Sequence, residues 1–468
     1  MALLAVLSHF SIVLAGLLIY AVGTHASGQR RHPSAALAWV LTITLMPYVG
    51  LPLYILLGTR KFVRPARRAM PALRQAQAGD GLSGCAIATV EAMGLKPPQG
   101  NANVQFHANG QVAWNELVTL VNGARSELDI CTYVLGNDSF GQRLTHLLVE
   151  RAAAGVRVRL LLDAVGSWST SRAQVRDLRA AGVQVAWHMP LLFNLLRGRG
   201  NLRNHRKLAV ADGQRLWSGG RNLAAEYFTG ERHKQAWIDL SFTLEGPLAA
   251  QAQSLFDSHW SHSHGPEVAG KDEAPKAFTA SVSLAAAKPA QHLAQMVPSG
   301  PDQAEDTVYD LLLATLFRAE RRVLAVTPYF VPDECLLTAL CMAARRGLQV
   351  ELVLPARSNH RLADIARARA LRDLAAAGAR VRLAPGMVHA KVVVVDDAMA
   401  LCGSLNLDSR SLFLNFELMV AFYAAEDISA ITCWWDENFH DLPSYRPRQP
   451  SLLRDVAEGL VRWLGFQI

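Results

Sequence analysis

The sequence predicts an α/β protein built as two similar halves behind an N-terminal pair of apolar helices. Three observations carry that reading. The pattern H-x-K-x-x-x-x-D occurs twice, in "NHRKLAVAD" and about 180 residues later in "VHAKVVVVD". Each copy follows the same strand, helix, strand, helix, strand succession of apolar runs and glycine stops. The first sixty residues hold two long runs without a charged side chain.

The 468 residues suffice for two or three domains. A 51% hydrophobic and 18% charged composition suits a globular chain with some membrane content and excludes a disordered one. The net charge of +8 points to anionic partners: nucleic acid, anionic lipid or phosphate esters. Residues 2–23 span about 30 Å as a helix, enough for a hydrocarbon core. The second run, 35–58, carries Pro47, Gly50 and Pro52, which predict a kink, and Trp39, Tyr48 and Tyr54 suit interface anchors. Residues 1–59 are therefore expected to form a transmembrane helical hairpin; the absence of a basic leading segment argues against a cleaved signal peptide. Arg30 and Arg31 lie between the runs, whereas Arg60, Lys61, Arg64, Arg67, Arg68 and Arg74 follow them. That bias puts the downstream chain in the cytoplasm, with 60–104 a basic linker lying on anionic headgroups.

The first half, 105–262, contains "ELDICTYVL", "LLVERAAAGVRVRLLLD" and "LRAAGVQVAWH" ahead of its motif. The second, 291–450, contains "RRVLAVTPYFV", "ALCMAARRGLQVELVLP" and "LAAAGARVRLAPG". Helices end near Gly155, Gly182, Gly347 and Gly378, and Val- and Leu-rich strands follow. The order predicts two α/β sandwiches with helices on both faces of a mixed sheet. The polar stretch 263–290 is the expected linker, and the aromatic "SLFDSHW" and "CWWDENF" read as core helices. Residues 451–468 read as an amphipathic helix, with Leu453, Val456, Leu460 and Leu464 at helical spacing. Six cysteines without metal-type spacing read as buried reduced thiols.

Alternation along a strand places His205 beside Lys207, and His389 beside Lys391, on one face. Asp212 and Asp396 fall at the strand ends, where each can organise a turn. Small-residue turns follow, "SGGRN" with Asn222 and "CGSLN" with Ser404 and Asn406, letting backbone and amide approach a ligand closely. Of 47 basic residues only eight are lysines, yet both motifs have Lys, so the chemistry there favours a compact ammonium. If the halves meet in one cleft, two imidazoles, two ammoniums and two carboxamides surround a phosphodiester and its more charged transition state. One neutral histidine can attack phosphorus while the other, protonated, serves the leaving alkoxide. Asp239 in "WIDLSF" and Glu417 in "NFELMV" occupy equivalent places and are candidate carboxylate partners of the histidines. There is no carboxylate cluster for Mg²⁺ or Ca²⁺, so neither a metal nor another cofactor is expected.

These residues resemble the phospholipase D superfamily, and within it the membrane-anchored bacterial cardiolipin synthases. The likeness spans nearly the whole chain, through "ALAWVLTITLMPYVGLPLYILLG", "NHRKLAVADGQRLWSGGRNLAAEYF", "VPSGP", "TPYFVPDE" and, most specifically, "HAKVVVVDDAMALCGSLNLDSRSLFLNFE". The resemblance implies two pseudo-symmetric phospholipase D-type halves sharing one site. In that site His205, Lys207, Asp212, His389, Lys391 and Asp396 are catalytic, with His205 the nucleophile and His389 the acid and base. It implies that Asn222 and Asn406 help bind the phosphate; Ser404 in the same turn is a further candidate for that binding, and Asp239 and Glu417 remain the candidate supports of the histidines. It further implies a transesterification, two phosphatidylglycerols giving cardiolipin and glycerol, in an anionic phospholipid membrane: in a bacterial cell, the inner membrane, with the catalytic halves in the cytoplasm.

Hydrolysis to phosphatidic acid uses the same residues and stays open, as do oligomeric state and phosphatidylethanolamine as donor. A nuclease would fit the charge but has no use for the apolar runs, so no nucleic-acid partner is expected. A non-catalytic lipid-binding scaffold would be expected to have lost a His or Lys. The insertion 189–204 has Leu191, Leu192, Phe193, Leu195 and Leu196, then Arg197, Arg199, Arg203 and, just beyond it, Arg206. It is expected to dip into the membrane with its arginines at headgroups.

Overall fold

The computed structural model describes residues 2–27, 33–61, 81–190, 199–230, 236–263 and 292–464. Three helices come first, α1 (Ala2–Ser27), α2 (Pro33–Leu45) and α3 (Pro47–Leu57), then α4 (Leu82–Ala92). The first half follows: β1 (Gln99–His107), α5 (Gly110–Gly123), β2 (Glu127–Thr132), α6 (Ser139–Ala153), β3 (Arg157–Asp163), α7 (Arg172–Ala180), β4 (Gln184–His188), β5 (Leu208–Ala211), β6 (Arg215–Gly219), β7 (Ser241–Glu245) and α8 (Pro247–Ser263). The second half repeats the order with β8 (His292–Ser299), α9 (Thr307–Arg318), β9 (Arg322–Val326), β10 (Phe330–Val331), α10 (Glu334–Arg345), β11 (Gln349–Pro355), α11 (Arg361–Ala376), β12 (Arg380–Ala384), β13 (Val392–Val395), β14 (Met399–Gly403), β15 (Leu407–Asp408), α12 (Ser409–Phe413), β16 (Glu417–Phe422) and α13 (Ala425–Phe439). Helix α14 (Leu452–Leu464) closes the described chain.

Fourteen strands form one mixed sheet in the order β12-β11-β9-β13-β14-β16-β8-β1-β7-β6-β5-β2-β3-β4. The halves join at its centre, where β1 and β8 pair antiparallel with Gly100 opposite Leu293. At each outer end three strands run parallel, connected by crossover helices. Gly155, Gly182, Gly347 and Gly378, marked from sequence as helix stops, all have φ between 86° and 100°, the left-handed turn that leads each helix into its strand.

One apolar cluster is common to both halves. Phe256 and Trp260 of α8 and Ile431, Trp434 and Trp435 of α13 pack beneath Leu208 and Leu240 of one half and Val388, Val392 and Val420 of the other. The two aromatic-rich helices are thus the floor on which the halves are fixed to each other.

The N-terminal helices differ from the expected hairpin. The second apolar run is two helices, broken at Met46, whose φ of −135° leaves the helical region before Pro47 starts α3. Among the described residues no helix is long and apolar enough to cross a membrane; in α1 the side chains described run from Ser8 to Thr24. The stretch 60–104 is not all linker, because α4 buries Leu82, Ala86 and Val90, one stripe at four-residue spacing, against the second half. Arg60 and Lys61 bind protein as well: both pair with Asp306, Lys61 at 3.0 Å, and the Arg60 guanidinium lies over Phe413.

Of the insertion, residues 191–198 lie outside the described residues. Arg203 and Arg206 are not at headgroups; they are 4% and 1% exposed and bind carbonyls inside the protein. In α14, Leu453 and Val456 face solvent, while Val461 packs near Val331 and Ala363, and Glu458 pairs with Arg372. Three cysteines are buried, but Cys335 and Cys433 are exposed, since each falls on the polar side of its helix.

Trp435 is 2% exposed in the shared floor. Trp435→Ala is expected to cost about 3–5 kcal/mol, read as a fall in the unfolding midpoint; an unchanged midpoint would mean the halves do not depend on that floor.

Candidate active site

The two motifs meet across the boundary between halves, and backbone pairing brings them there. Before β5 begins, Asn204 forms a parallel bridge with Phe416, and the His205 amide donates to the Phe416 carbonyl at 2.9 Å. Before β13 begins, Val388 bridges to Ile238 and the His389 amide donates to the Ile238 carbonyl at 2.7 Å. His and Lys therefore precede the regular strand in each half instead of lying within it, because their segments are bonded to the opposite half. The residue after each bridge partner is an acid, Glu417 after Phe416 and Asp239 after Ile238.

The acids pair crosswise. His205 Nδ1 lies 3.0 Å from Glu417 Oε1, and His389 Nδ1 lies 2.7 Å from Asp239 Oδ2. Both carboxylates are fully buried. Burial pushes each upward, but the paired imidazole and the nearby lysines outweigh it and hold both below their ordinary values. Burial lowers His205 to about 4, with Lys207 and Lys391 assisting and Glu417 opposing. His389 falls to about 3 by burial and the adjacent Lys391, against Asp239. Both rings are therefore neutral at neutral pH, with Nδ1–H held by a carboxylate and Nε2 carrying the lone pair.

Lys207 and Lys391 are each 1% exposed. Lys207 Nζ donates to the His205 carbonyl at 2.6 Å. Lys391 Nζ donates to the His389 carbonyl and lies against the His389 ring, 2.8 Å from Nδ1 and 3.1 Å from Nε2. Burial brings Lys207 down to about 7 and Lys391 to about 8, against the pull of Glu417 and Asp239. Two carboxylates balance two ammoniums, so the site tolerates its buried charges.

Asn222 donates to the Tyr227 hydroxyl at 2.7 Å and Asn406 to the Ser411 hydroxyl at 3.2 Å. The other amide atom of each, Oδ1, is buried without a partner. A matched pair of unsatisfied amides suits a site that receives a polar ligand, since turning either amide over would present its NH₂. Ser404 acts on the protein instead. Its hydroxyl donates to Glu417 and accepts from the Leu418 amide, and its carbonyl is 3.2 Å from His205 Nδ1. It holds the carboxylate and the ring and is not turned to a ligand.

Asp212 and Asp396 are not brought to the site. They stand five residues beyond the lysines, about 17 Å along an extended chain. Asp212, at φ 54°, accepts from the amides of Arg125, Ser126 and Glu127 and from the Ser126 hydroxyl. Asp396, at φ 52°, accepts from the amides of Glu320, Arg321 and Arg322. Each carboxylate ties the turn after its motif strand to the start of the neighbouring strand, as the strand-end reading anticipates. A catalytic role would need a reach these side chains lack.

Several residues of the site escape the motif. Tyr133 stands edge-on to His205 at 4.9 Å, and Tyr227 and Trp237 border His389 at 4.9 and 5.6 Å. Arg206, next to His205, points the other way and binds the Glu417 carbonyl, the Ser299 carbonyl and Asp302. Arg221 is fully buried and gathers the carbonyls of His107, Ala108, Tyr227 and Asp239. The sequence marks the two arginines only by adjacency, Arg206 between His205 and Lys207 and Arg221 beside Asn222.

Comparison with known proteins agrees with this geometry. A family described as cardiolipin synthase, phospholipase D-like domain, matches residues 117–260 and 312–440. A second, described as phospholipase D-nuclease N-terminal, matches residues 13–58. The chain is 33% identical over 474 aligned residues to cardiolipin synthase A of Pseudomonas aeruginosa (strain LESB58), covering 96% of this chain and 94% of that one. It is 29% identical to the cardiolipin synthase of Geobacillus kaustophilus (strain HTA426), over 99% of this chain and 94% of the relative. The crystal structure of phosphatidylserine synthase from Haemophilus influenzae Rd KW20 superposes with a TM-score of 0.61 at 13% identity, covering 82% of this chain and all of the other, which is a likeness of fold.

Two substitutions separate site from scaffold. Glu417→Gln removes the charge opposite His205 and is expected to lower kcat about 100-fold or more with the fold intact. Asp212→Ala is expected to cost about 1–3 kcal/mol of stability with near-normal turnover per folded molecule; the reverse pattern would return Asp212 to the chemistry. The crosswise site, the full-length relatives and the repeated family match together place this chain among the bacterial cardiolipin synthases of the phospholipase D superfamily, enzymes that transfer phosphatidyl groups.

Proposed function

We propose that the protein makes cardiolipin from two phosphatidylglycerols without a metal, through a phosphatidyl-histidine, at the inner face of a bacterial cell membrane to which its N-terminal helices anchor it. The observation that carries the reading is the crosswise pairing, which holds one imidazole from each half by Nδ1 on a buried carboxylate of the other half and leaves Nε2 for the chemistry.

In the first step His205 Nε2 attacks phosphorus of one phosphatidylglycerol, and the P–O bond to the headgroup glycerol breaks. His389, protonated on Nε2, gives that proton to the leaving alkoxide, and glycerol departs. In the second step neutral His389 takes the proton from a headgroup hydroxyl of another phosphatidylglycerol. That oxygen attacks phosphorus, the P–N bond to His205 breaks, and cardiolipin results. The exchange of one phosphodiester for another needs no nucleotide.

Assigning the nucleophile to His205 rests on the lysines. Lys391 sets its ammonium against the His389 ring, 2.8 Å from Nδ1 and 3.1 Å from Nε2, whereas Lys207 is spent on a carbonyl. Among the described residues no hydrogen bond reaches His205 Nε2. An arriving phosphodiester adds negative charge, which pulls His389 and both lysines toward their protonated forms. Asn222 and Asn406 supply amide donors, and the two ammoniums steady the equatorial oxygens of the transition state.

Purified enzyme in phosphatidylglycerol vesicles with EDTA is expected to yield cardiolipin and glycerol in equal amounts. Phosphatidic acid as the main product would make it a hydrolase, and loss of all activity in EDTA would overturn the metal-free step. His205→Ala and His389→Ala are each expected to lower turnover by about 10²–10⁴-fold or more. The lysines lose their protons as pH rises through about 7 to 8 in the free enzyme, so kcat/KM for an anionic lipid should fall above that range. A profile still rising at pH 9 would remove the lysines from phosphate binding.

A further inference from the structure

The N-terminal helices pack in a way that a two-span hairpin does not. A Cβ on Gly50 of α3 would lie 2.7 Å from the carbonyl carbon and oxygen of Thr42 in α2. In a straight helix, residues eight apart are about 12 Å apart along the axis. Farther from the bend, the rings of Trp39 and Tyr54 meet at 5.4 Å, although a straight helix would hold them about 22 Å apart. The chain therefore doubles back at Met46, and α2 returns along α3. Helix α1 lies across both: His9 meets Tyr48, a Cβ on Gly16 would touch Ile43 and Leu51, and Tyr20 meets Tyr54. The start of α2 and the end of α3 thus lie at one end of the bundle, with the bend at the other.

That bend is built for hydrocarbon. Leu45, Met46 and Tyr48 are 72, 57 and 61% exposed, an apolar tip that water would not favour. Three of its amides are bonded within the turn: that of Met46 donates to Thr42, and those of Val49 and Gly50 both donate to Met46. The hydroxyls of Thr42 and Thr44 bond to carbonyls one turn back. Broken helices inside a bilayer depend on such internal bonds. The arms are 13 and 11 residues, about 20 and 17 Å, short of the roughly 30 Å of a hydrocarbon core.

We propose that α2 and α3 form a re-entrant hairpin that enters and leaves the bilayer by the face on which the catalytic halves sit. The proposal rests on the membrane anchoring put forward above. Arg30 and Arg31, assigned from sequence to the far side, then join Arg60 and Lys61 on one face, and the ring cluster of Tyr20, Trp39 and Tyr54 marks the interface near them. Counted so, the basic residues of both flanks fall on the cytoplasmic side, a stronger bias than six against two.

Single-site cysteine labelling decides it. The exposed Cys335 and Cys433 report the side of the catalytic halves. Full-length Gly28→Cys is expressed in bacterial cells, and a membrane-impermeant maleimide is applied to right-side-out spheroplasts and to inverted vesicles, with labelled peptides read by mass spectrometry. The expected result is label at position 28 only in inverted vesicles, together with Cys335 and Cys433. Label at position 28 from the opposite side overturns the proposal. Ser34→Cys is read in the same way should Gly28→Cys not accumulate. Release of the unmodified protein by alkaline carbonate would overturn the anchoring itself, an outcome distinct from label on the wrong face.

Discussion

The exchange of a histidine and a carboxylate across the boundary between halves is the constraint on which the rest of the molecule depends. His205 is oriented because Glu417 of the other half accepts from it, and His389 because Asp239 does, while burial keeps both rings neutral. Neither acid could stay ionised at zero exposure without that partner, and neither ring would have a fixed tautomer without the acid. A half on its own would hold an imidazole, a lysine and an acid in the wrong combination. The continuous sheet through β1 and β8 and the shared aromatic floor keep the exchange in register.

The twofold likeness is approximate, and the departures are compensated locally. Where the second half has Ser404 steadying the longer Glu417, the first has Gly220, on which a Cβ would collide with Asp239 Oδ1. The shorter acid occupies the space a side chain would need and reaches its histidine directly. The lysines differ too, one bound to a carbonyl and the other also facing its imidazole. A symmetric scaffold thus supplies two rings in unequal surroundings, which suits the separate nucleophile and acid of the proposed reaction.

The N-terminal helices and the site are joined through one short loop. Asp306 takes Arg60 and Lys61 as the chain leaves α3, and four residues earlier Asp302 takes Arg206 and His259 beside the His205 segment. Burial pushes Asp302 up, but Arg206 and His259 hold it well below the ordinary carboxylate range. The amide of Gly200 also donates to the carbonyl of Leu56. Through these bonds the entry to the site is fixed relative to the apolar helices.

The sequence by itself determined the repeat, the order of strands and helices, the glycine stops and the two His-Lys pairs, because these follow from local periodicity and residue type. It marked Asp239 and Glu417, since an acid in an apolar run needs a partner, yet it could not say which ring each meets: that partner is more than 140 residues away in the chain. Tertiary structure decided the crosswise pairing, the amides that Asp212 and Asp396 bind at their strand ends, and the burial of Arg203 and Arg206 that charge alone had assigned to lipid headgroups. It also folded back a run that reads as one span, because hydropathy records how apolar a segment is and not where Met46 and Pro47 turn it. Long-range backbone pairing and the demand that every buried charge meet its opposite made those choices, and neither is written in any local stretch of residues.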